Sequence, residues 1–313
     1  MKNIKKDKVN LSVSIIIPAY NAANFLERAV ESALSQKYVK EIIIVEDGSL
    51  DDTYQLALQL EEKFDLVQVQ THENRVNKGL AASRNRGLEF ATGDWIQVLD
   101  ADDELMPGKI ESQLCLIQPN STFVVGNSLD IYVDGRVTKR SFYEDGWKGL
   151  IVGKFGISSA NLFNRKAIEP LGGFDSNLRT SEEYDLMFRL MKEGNLPVFD
   201  PNYLTKIHIT EGSLSRGKQH EKILSTNWLN LRKRIRRFLI EQGKFTLTLN
   251  YWYSGAVGTF LESYELPIDE TVNKTFLNIY KAEKKLKKRI YLTFFNQFKK
   301  ANEILIENQK RAG

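Results

Sequence analysis

The chain is poor in the residues that several function classes require. Its 313 residues include one cysteine, Cys115, which excludes an intrachain disulfide framework and suits a reducing compartment. No apolar run reaches the ~20 residues of a membrane span. Residues 1–10 are polar and lysine-rich, with nothing apolar ahead of Leu11, so no secretory leader is expected there. A phosphate loop of the form G-x-x-x-x-G-K-[ST] is missing, which disfavours γ-phosphoryl transfer. No G-x-G-x-x-G follows the first apolar run, which argues against nicotinamide and flavin cofactors. Internal repeats and low-complexity tracts are also lacking. The expectation is a cytoplasmic protein.

What is present allows a full-sized core, since 42% of the residues are hydrophobic. The net charge of +4 conceals a division: residues 217–313 carry 19 Lys and Arg against 9 Asp and Glu, so residues 1–216 are net acidic. An acidic main body does not suit a nucleic-acid binder, and no nucleic-acid partner is expected. The basic tail suits either an anionic membrane surface or a solvated helix face.

Periodicity points to an α/β fold. Residues 13–17 form a short continuous apolar run ended by Pro18, the pattern of a buried parallel strand. Asn21 is placed to cap the helix that follows. Residues 42–45, 66–69 and 95–99 read as further strands, and residues 53–63, with Asp51 or Asp52 as cap, and 78–90 as helices. This alternation predicts a doubly wound, mostly parallel sheet. Beyond Pro107, residues 123–125, 129–132 and 136–139 resemble a small meander with a turn at Asp134 and Gly135. Residues 160–163, 198–199 and 203–208 read as strands and 182–193 as a helix stopped by Gly194. Residues 223–240 and 276–309 read as helical, the latter as one or two amphipathic helices. The expected organisation is a polar tail over 1–11, a catalytic domain over 12–216, and a basic helical extension over 217–313.

The chemistry is concentrated after the strand at 95–99, where Asp100, Asp102, Asp103 and Glu104 follow within five residues. Clustered carboxylates at a strand end repel one another, and a divalent cation with a taste for hard oxygen ligands relieves that repulsion. Asp100 and Asp102 are the metal candidates. Asp103 and Glu104 serve equally well as an acidic first turn for the next helix. In open α/β sheets ligands bind outside the carboxyl ends of the strands. Three such loops converge here: residues 18–21, 46–49 and 100–102. Tyr20 offers a face for a base, Asp47 an acceptor for a base N–H, and Lys78 and Arg84 add cations. Each also has a plainer reading, Tyr20 in core packing, Asp47 in stabilising its own turn, and Arg84 as a solvated helix residue. Together they describe a site for a nucleotide diphosphate.

These motifs occur in a characteristic order: Pro18, Tyr20 and Asn21; Glu46, Asp47, Gly48 and Ser49; Asn77 and Gly79; Arg84 and Asn85; Asp100, Asp102 and Pro107; Gly172, Gly173, Phe174 and Asp175; Glu182, Glu183 and Asp185. The order closely resembles the family 2 glycosyltransferases of GT-A fold, over roughly residues 12–216. The resemblance implies a nucleotide-binding half, a small mixed-sheet acceptor half, and an inverting reaction on a nucleotide-sugar donor, usually a UDP-sugar. It places Pro18, Ala19, Tyr20 and Asn21 with Asp47 around the base, with Arg84 and Lys78 nearby. Asp100, beside Ala101, falls on the ribose and metal shell, and Asp102 on a Mn²⁺ or Mg²⁺ ion. His208, with Lys206 in place of the usual arginine, approaches the metal or the diphosphate. The base falls on Glu183, with Glu182 and Asp185 as neighbouring candidates, because glutamate stands where aspartate is usual. Ser158, Ser159 and Asn161, with Asp185, are candidates for acceptor hydroxyls or else for backbone groups of a loop. The implied partners are the nucleotide sugar and a glycan or lipid-linked acceptor, with peripheral membrane contact through the basic helices. Two competing readings are a nucleotide-sugar pyrophosphorylase, which wants a Gly-rich basic loop after the first strand, and a non-catalytic nucleotide-sugar-binding scaffold.

Overall fold

The computed structural model describes residues 11–209 and 221–311, with side chains omitted at 221–225, 292 and 294–311. The chain divides into two compact units, one ending at Leu231 and one starting at Arg232. The boundary expected at residue 216 falls outside the described residues.

The first unit is built on β1 (Val13–Ala19), all seven residues of which are buried. Next come α1 (Leu26–Leu34), β2 (Val39–Glu46), α2 (Thr53–Lys63), β3 (Val67–Thr71), α3 (Leu80–Phe90) and β4 (Trp95–Val98). β1 pairs in parallel with β2 and β4, and β2 with β3. Side chains alternate across a strand. Val13, Ile15 and Ile17 therefore share one core with Leu26, Ala29 and Val30 of α1 and Ala57 and Leu60 of α2. Ile16 faces the other way, onto α3, where a Cβ on Gly87 would fall 2.3 Å from its Cγ2. Helices thus cover both faces, as the strand–helix alternation predicts.

β1 runs two residues further than expected, through Pro18. The Ile16 carbonyl accepts from the Leu99 amide on the β4 side. Pro18 faces that same flank, beyond the last β1–β4 pair at Ile16 and Val98. No ladder bond is lost to its missing N–H.

The remaining elements of this unit are β5 (Glu104–Leu105), α4 (Lys109–Leu116), β6 (Phe123–Gly126), β7 (Ser128–Tyr132), β8 (Val137–Arg140), α5 (Gly146–Val152), β9 (Leu162–Asn164), α6 (Arg165–Ile168), α7 (Glu182–Lys192), β10 (Val198–Asp200) and β11 (Thr205–Ile209). The expected meander is split between two sheets. β6, buried along its whole length, enters a seven-stranded sheet of order β10-β6-β9-β4-β1-β2-β3, antiparallel only at its two β9 pairs. β7 and the fully exposed β8 join a four-stranded sheet of order β5-β11-β7-β8. A strand buried on both faces belongs inside the large sheet, whereas an exposed one makes an edge.

α8 (Glu221–Glu241) leads into the second unit, which holds α9 (Leu247–Ser263) and α10 (Lys274–Arg311). α9 is not anticipated from sequence. Apolar residues surround it on all sides, so no helical period stands out, and Gly255 and Gly258 read as breakers. Their purpose is close packing, since a Cβ at Gly255 would lie 2.3 Å from the Tyr280 ring and one at Gly258 2.7 Å from Leu277. Among the described residues no helix is long and apolar enough to cross a membrane.

A buried polar network stiffens the floor of the first unit. Lys109, 1% exposed, donates to Gln97 and, at 2.7 Å, to Gln113. Gln97 and Gln113 donate in turn to the carbonyls of Ser159 at 3.0 Å and Ala160 at 2.8 Å. Burial pushes the Lys109 ammonium down to about 7. The unfolded chain binds this proton up to a higher pH, so the group's contribution to stability rises with pH above about 7. The stability of the wild type relative to Lys109→Met, from urea unfolding, is expected to climb by up to about 1.4 kcal/mol per unit between pH ~7 and pH ~9. A difference that stays flat would contradict the depressed ammonium.

Candidate active site

Arg84 of α3 is the centre of the site. It is 1% exposed, and its two terminal nitrogens donate to Asp100 Oδ1 at 2.9 Å and Glu182 Oε1 at 2.7 Å. Its Cζ lies 5.3 Å from the centre of the Phe174 ring. Burial alone lowers the pKa of a guanidinium, but Asp100, Glu182 and Glu183 outweigh it and hold Arg84 above its ordinary value. The solvated reading of Arg84 is therefore wrong, and its place is among the acids.

Neighbouring motifs hold this arrangement. Asn85 donates to the Phe174 carbonyl at 2.7 Å and accepts from the Phe174 amide at 2.8 Å. Gly173 has a φ of +68°, and a Cβ there would lie 2.4 Å from the Asn85 side-chain oxygen, so only glycine fits. From α7, Arg189 donates to the carbonyls of Leu171 and Gly173 at 2.8 and 2.7 Å, and to Asp185 at 2.7 Å. Asp185 is 1% exposed and spends its carboxylate on this brace.

The two glutamates at the start of α7 have different surroundings. Glu182 is buried against Arg84. Glu183 accepts from the Ser158 amide at 3.0 Å and from the Ser158 hydroxyl. Burial pushes its carboxyl up to about 7; Arg84 pulls the other way, Glu182 pushes further up, and Ser158 pulls down. A carboxyl balanced there exchanges a proton near neutral pH, which is what a general base needs.

The acids after β4 separate in the same manner. Asp103, 2% exposed, accepts from Ser159 Oγ at 2.6 Å and the His208 amide at 3.2 Å. Glu104 meets His208 Nε2 at 2.6 Å, Lys206 at 3.3 Å and Arg28 at 3.3 Å. Both are tied to the protein, but neither forms the first turn of the next helix: Glu104 lies in β5, and α4 starts only at Lys109 with Glu111 as its first-turn acid. Asp102 is half-buried and its carboxylate meets no side-chain donor among the described residues. Burial and the Asp100 charge raise its pKa. Two hard-oxygen carboxylates, one of them without a donor, fit a divalent cation. No group of three metal-type side chains exists among the described residues, so other oxygens would complete the shell. His208, expected to approach the metal or the diphosphate, has its Nε2 against Glu104 in this structure.

On the nucleotide side, Tyr20 is 44% exposed, which removes the core-packing alternative. Asn21 caps no helix. Its φ is +49°, and it ties the first loop to the second by accepting from the Leu50 amide at 2.9 Å and donating its own amide to Ser49 at 3.0 Å. Of the two candidate caps of α2, Asp51 accepts from the Thr53 amide at 3.0 Å, while Asp52 makes no such bond. Asp47 is 4% exposed and accepts from the amides of Lys78 at 2.7 Å and Gly79 at 2.9 Å. Its first visible task is to shape the 77–79 loop. The Lys78 side chain is exposed, and Pro18, Ala19 and Ala101 are buried beneath the loops. On the other side, Ser159 and Asn161 are both 0% exposed. Ser159 accepts from the Asp100 amide at 3.1 Å, and Asn161 accepts from the Gly126 amide at 3.1 Å. Both are withdrawn as acceptor contacts in favour of the loop-backbone reading. Arg28, which donates to the Asp102 carbonyl at 2.7 Å, was not foreseen, since a lone arginine in a surface helix carries no signal.

The sequence profile of Glycosyl transferase family 2 matches residues 14–171, half of the chain. The chain belongs to glycosyl transferase family 2. An uncharacterized glycosyltransferase of Rickettsia prowazekii is 30% identical to this transferase over 235 residues, 68% of the chain and 70% of the relative. The succinoglycan biosynthesis protein ExoO of Rhizobium meliloti is 30% identical over 67% of the chain and 64% of its own length. The transferase spans only 38% of another relative, from Rickettsia felis. Among solved structures, TarS of S. aureus in complex with UDP-GlcNAc aligns with a TM-score of 0.57 over 81% of each chain, at 16% identity. The mannosyltransferase PcManGT of Pyrobaculum calidifontis, in complex with GDP-Man and Mn²⁺, aligns with a TM-score of 0.59 over 92% of this chain and 84% of that one, also at 16% identity. The shared architecture is the GT-A fold.

Arg84→Met leaves two carboxylates facing each other without their cation. Removing one partner from a buried ion pair is expected to cost about 3–5 kcal/mol. Urea unfolding checks this, and a loss under about 1 kcal/mol would mean that the pairing does not brace the site.

Proposed function

We propose that this glycosyltransferase moves a sugar from a nucleotide diphosphate, uridine diphosphate before others, to a hydroxyl of a glycan or lipid-linked acceptor, by single displacement with inversion. The observation that carries the reading is the Arg84 clamp, which joins the Asp100 strand end to Glu182 and so brings Glu183 to the same site. Glu183 takes the proton of the acceptor hydroxyl as its oxygen attacks the anomeric carbon from the side opposite the diphosphate. Tyr20 and Asp47, with Lys78, border the base and ribose. Asp102 and Asp100 would hold Mn²⁺ or Mg²⁺, which when bound stabilises charge on the departing diphosphate. Supporting this donor class, the two solved neighbours were captured with UDP-GlcNAc and with GDP-Man and Mn²⁺. An E. coli relative, 27% identical over 69% of this chain and 83% of its own length, bears a name specifying UDP-Glc and a diphosphoundecaprenol-linked acceptor.

In this reading the catalytic domain spans residues 12–216 and the basic extension works at the cytoplasmic face of a membrane. In α10, Leu286, Ile290 and Tyr291 are 57%, 47% and 67% exposed among Lys284, Lys285, Lys287, Lys288 and Arg289. Exposed apolar residues interleaved with cations suit an anionic lipid surface. Replacing Lys285, Lys288 and Arg289 by Glu is expected to abolish co-sedimentation with anionic vesicles, and equal sedimentation of both proteins would remove the membrane role.

Glu183→Gln is expected to reduce transfer by about 10²–10⁴-fold while UDP with Mn²⁺ still raises the melting temperature. Unchanged turnover would refute the base assignment. Because only the ionised carboxylate accepts a proton, wild-type kcat/KM should rise with pH through about 7 and then level off. Omitting Mn²⁺ and Mg²⁺ should suppress donor hydrolysis.

A further inference from the structure

The first unit carries a concavity that none of the acids at 100–104 lines. A pocket of about 230 Å³ opens between the end of β8 and the segment after α5. Its charged lining is Lys139, Arg140 and Lys154 against the single carboxylate of Asp130. Asp130 is spent on Arg140, accepting from it twice at 2.9 Å. No carboxylate of the lining remains for Lys139 or Lys154. Their ammonium groups lie 4.8 Å from the Tyr203 ring and 5.5 Å from the Tyr143 ring, contacts that favour a cation without cancelling its charge. A larger groove of about 790 Å³ beside α3 differs in this respect, because its Arg75 and Arg86 are paired with Glu46 and Glu89.

The small pocket adjoins the base. Ile157 and Tyr184 line it, and their chain neighbours Ser158 and Glu183 are hydrogen-bonded at 3.0 Å. The Tyr184 hydroxyl accepts from the Phe155 amide at 3.0 Å and donates to the Gly156 carbonyl at 3.1 Å, which fixes the wall between pocket and base. Burial lowers the pKa of Arg140, but its Asp130 contacts outweigh this, and Tyr184 and Glu183 add to the rise, so this cation is within electrostatic reach of the base. Two of the lining glycines serve internal packing: a Cβ at Gly126 would lie 2.3 Å from the Ala160 carbonyl oxygen and one at Gly156 2.1 Å from the Asn161 side-chain oxygen. The volume is below the ~300–1,000 Å³ of drug-sized sites and suits one compact charged group.

The geometry points to this pocket as a subsite for a phosphate or phosphodiester carried by the acceptor, beside the hydroxyl that Glu183 activates. Calling the ligand an acceptor rests on the sugar-transfer reading above; the binding of an anion does not. A lipid-linked diphosphate and a soluble polyol phosphodiester share this chemistry. Two probes separate them: a short-chain alkyl diphosphate and diglyceryl phosphate, each titrated calorimetrically into the full-length protein at fixed ionic strength with UDP and Mn²⁺ in excess. Wild type is expected to bind at least one probe, and the one it prefers identifies the source. Lys139→Glu with Lys154→Glu is expected to weaken that binding at least tenfold, and the double Gln variant, which only removes charge, by an intermediate factor. Both side chains are exposed, so the fold tolerates the changes. No binding of either probe by wild type, or equal binding by the Glu variant, overturns the subsite. Stabilisation by UDP and Mn²⁺ is read separately on wild type; its absence would defeat the donor reading and leave the anion result standing.

Discussion

A guanidinium enclosed between two carboxylates organises the first unit. Arg84, Asp100 and Glu182 come from α3, the end of β4 and the start of α7, and none is near another in sequence. Shutting such charges away from water is unfavourable unless all are satisfied together. The fold pairs both terminal nitrogens of Arg84 with carboxylates and sets a ring beneath the guanidinium, presented by a glycine turn. Asn85 and the Asp185–Arg189 pair hold the turn in place. Motifs that look separate in sequence are parts of one brace.

With the brace in place, the acids of the site become unequal. Asp100 and Glu182 share Arg84. Asp103 is buried on Ser159, and Glu104 is held by Arg28, Lys206 and His208. Asp185 belongs to Arg189. Among the described residues Asp102 and Glu183 lack a charged partner of this kind, and burial raises their carboxyls, as it does that of Asp103, above their ordinary values. Environments that drive like groups apart are how one site assigns different roles to the same side chain. In the proposed reaction one of the two takes a divalent ion and the other a proton.

The acceptor side has its own logic. The Ser158–Ala160 turn, held from below by Gln97 and Gln113, carries Ser158 to Glu183 and Ser159 to the strand end. Polar side chains that look available for a sugar are thereby used within the protein. What faces outward near the base is a concentration of positive charge at Lys139 and Lys154. The proposed acceptor subsite lies there and not at the serines.

The alternation of apolar runs and helical periods, together with the order of the motifs, determined the doubly wound sheet, the converging loops and family 2 membership. Those signals are local, since strand burial and turn chemistry are written in neighbouring residues. The tertiary structure alone decided that Arg84 belongs with the acids, that Glu182 pairs with Arg84 and Asp185 with Arg189 while Glu183 meets Ser158, and that His208 contacts Glu104. It also placed β6 apart from β7 and β8, and it revealed α9, whose even apolarity hides its period. Each of these depends on which distant residue a buried charge or an apolar face meets, and pairing across a hundred residues leaves no mark in local pattern.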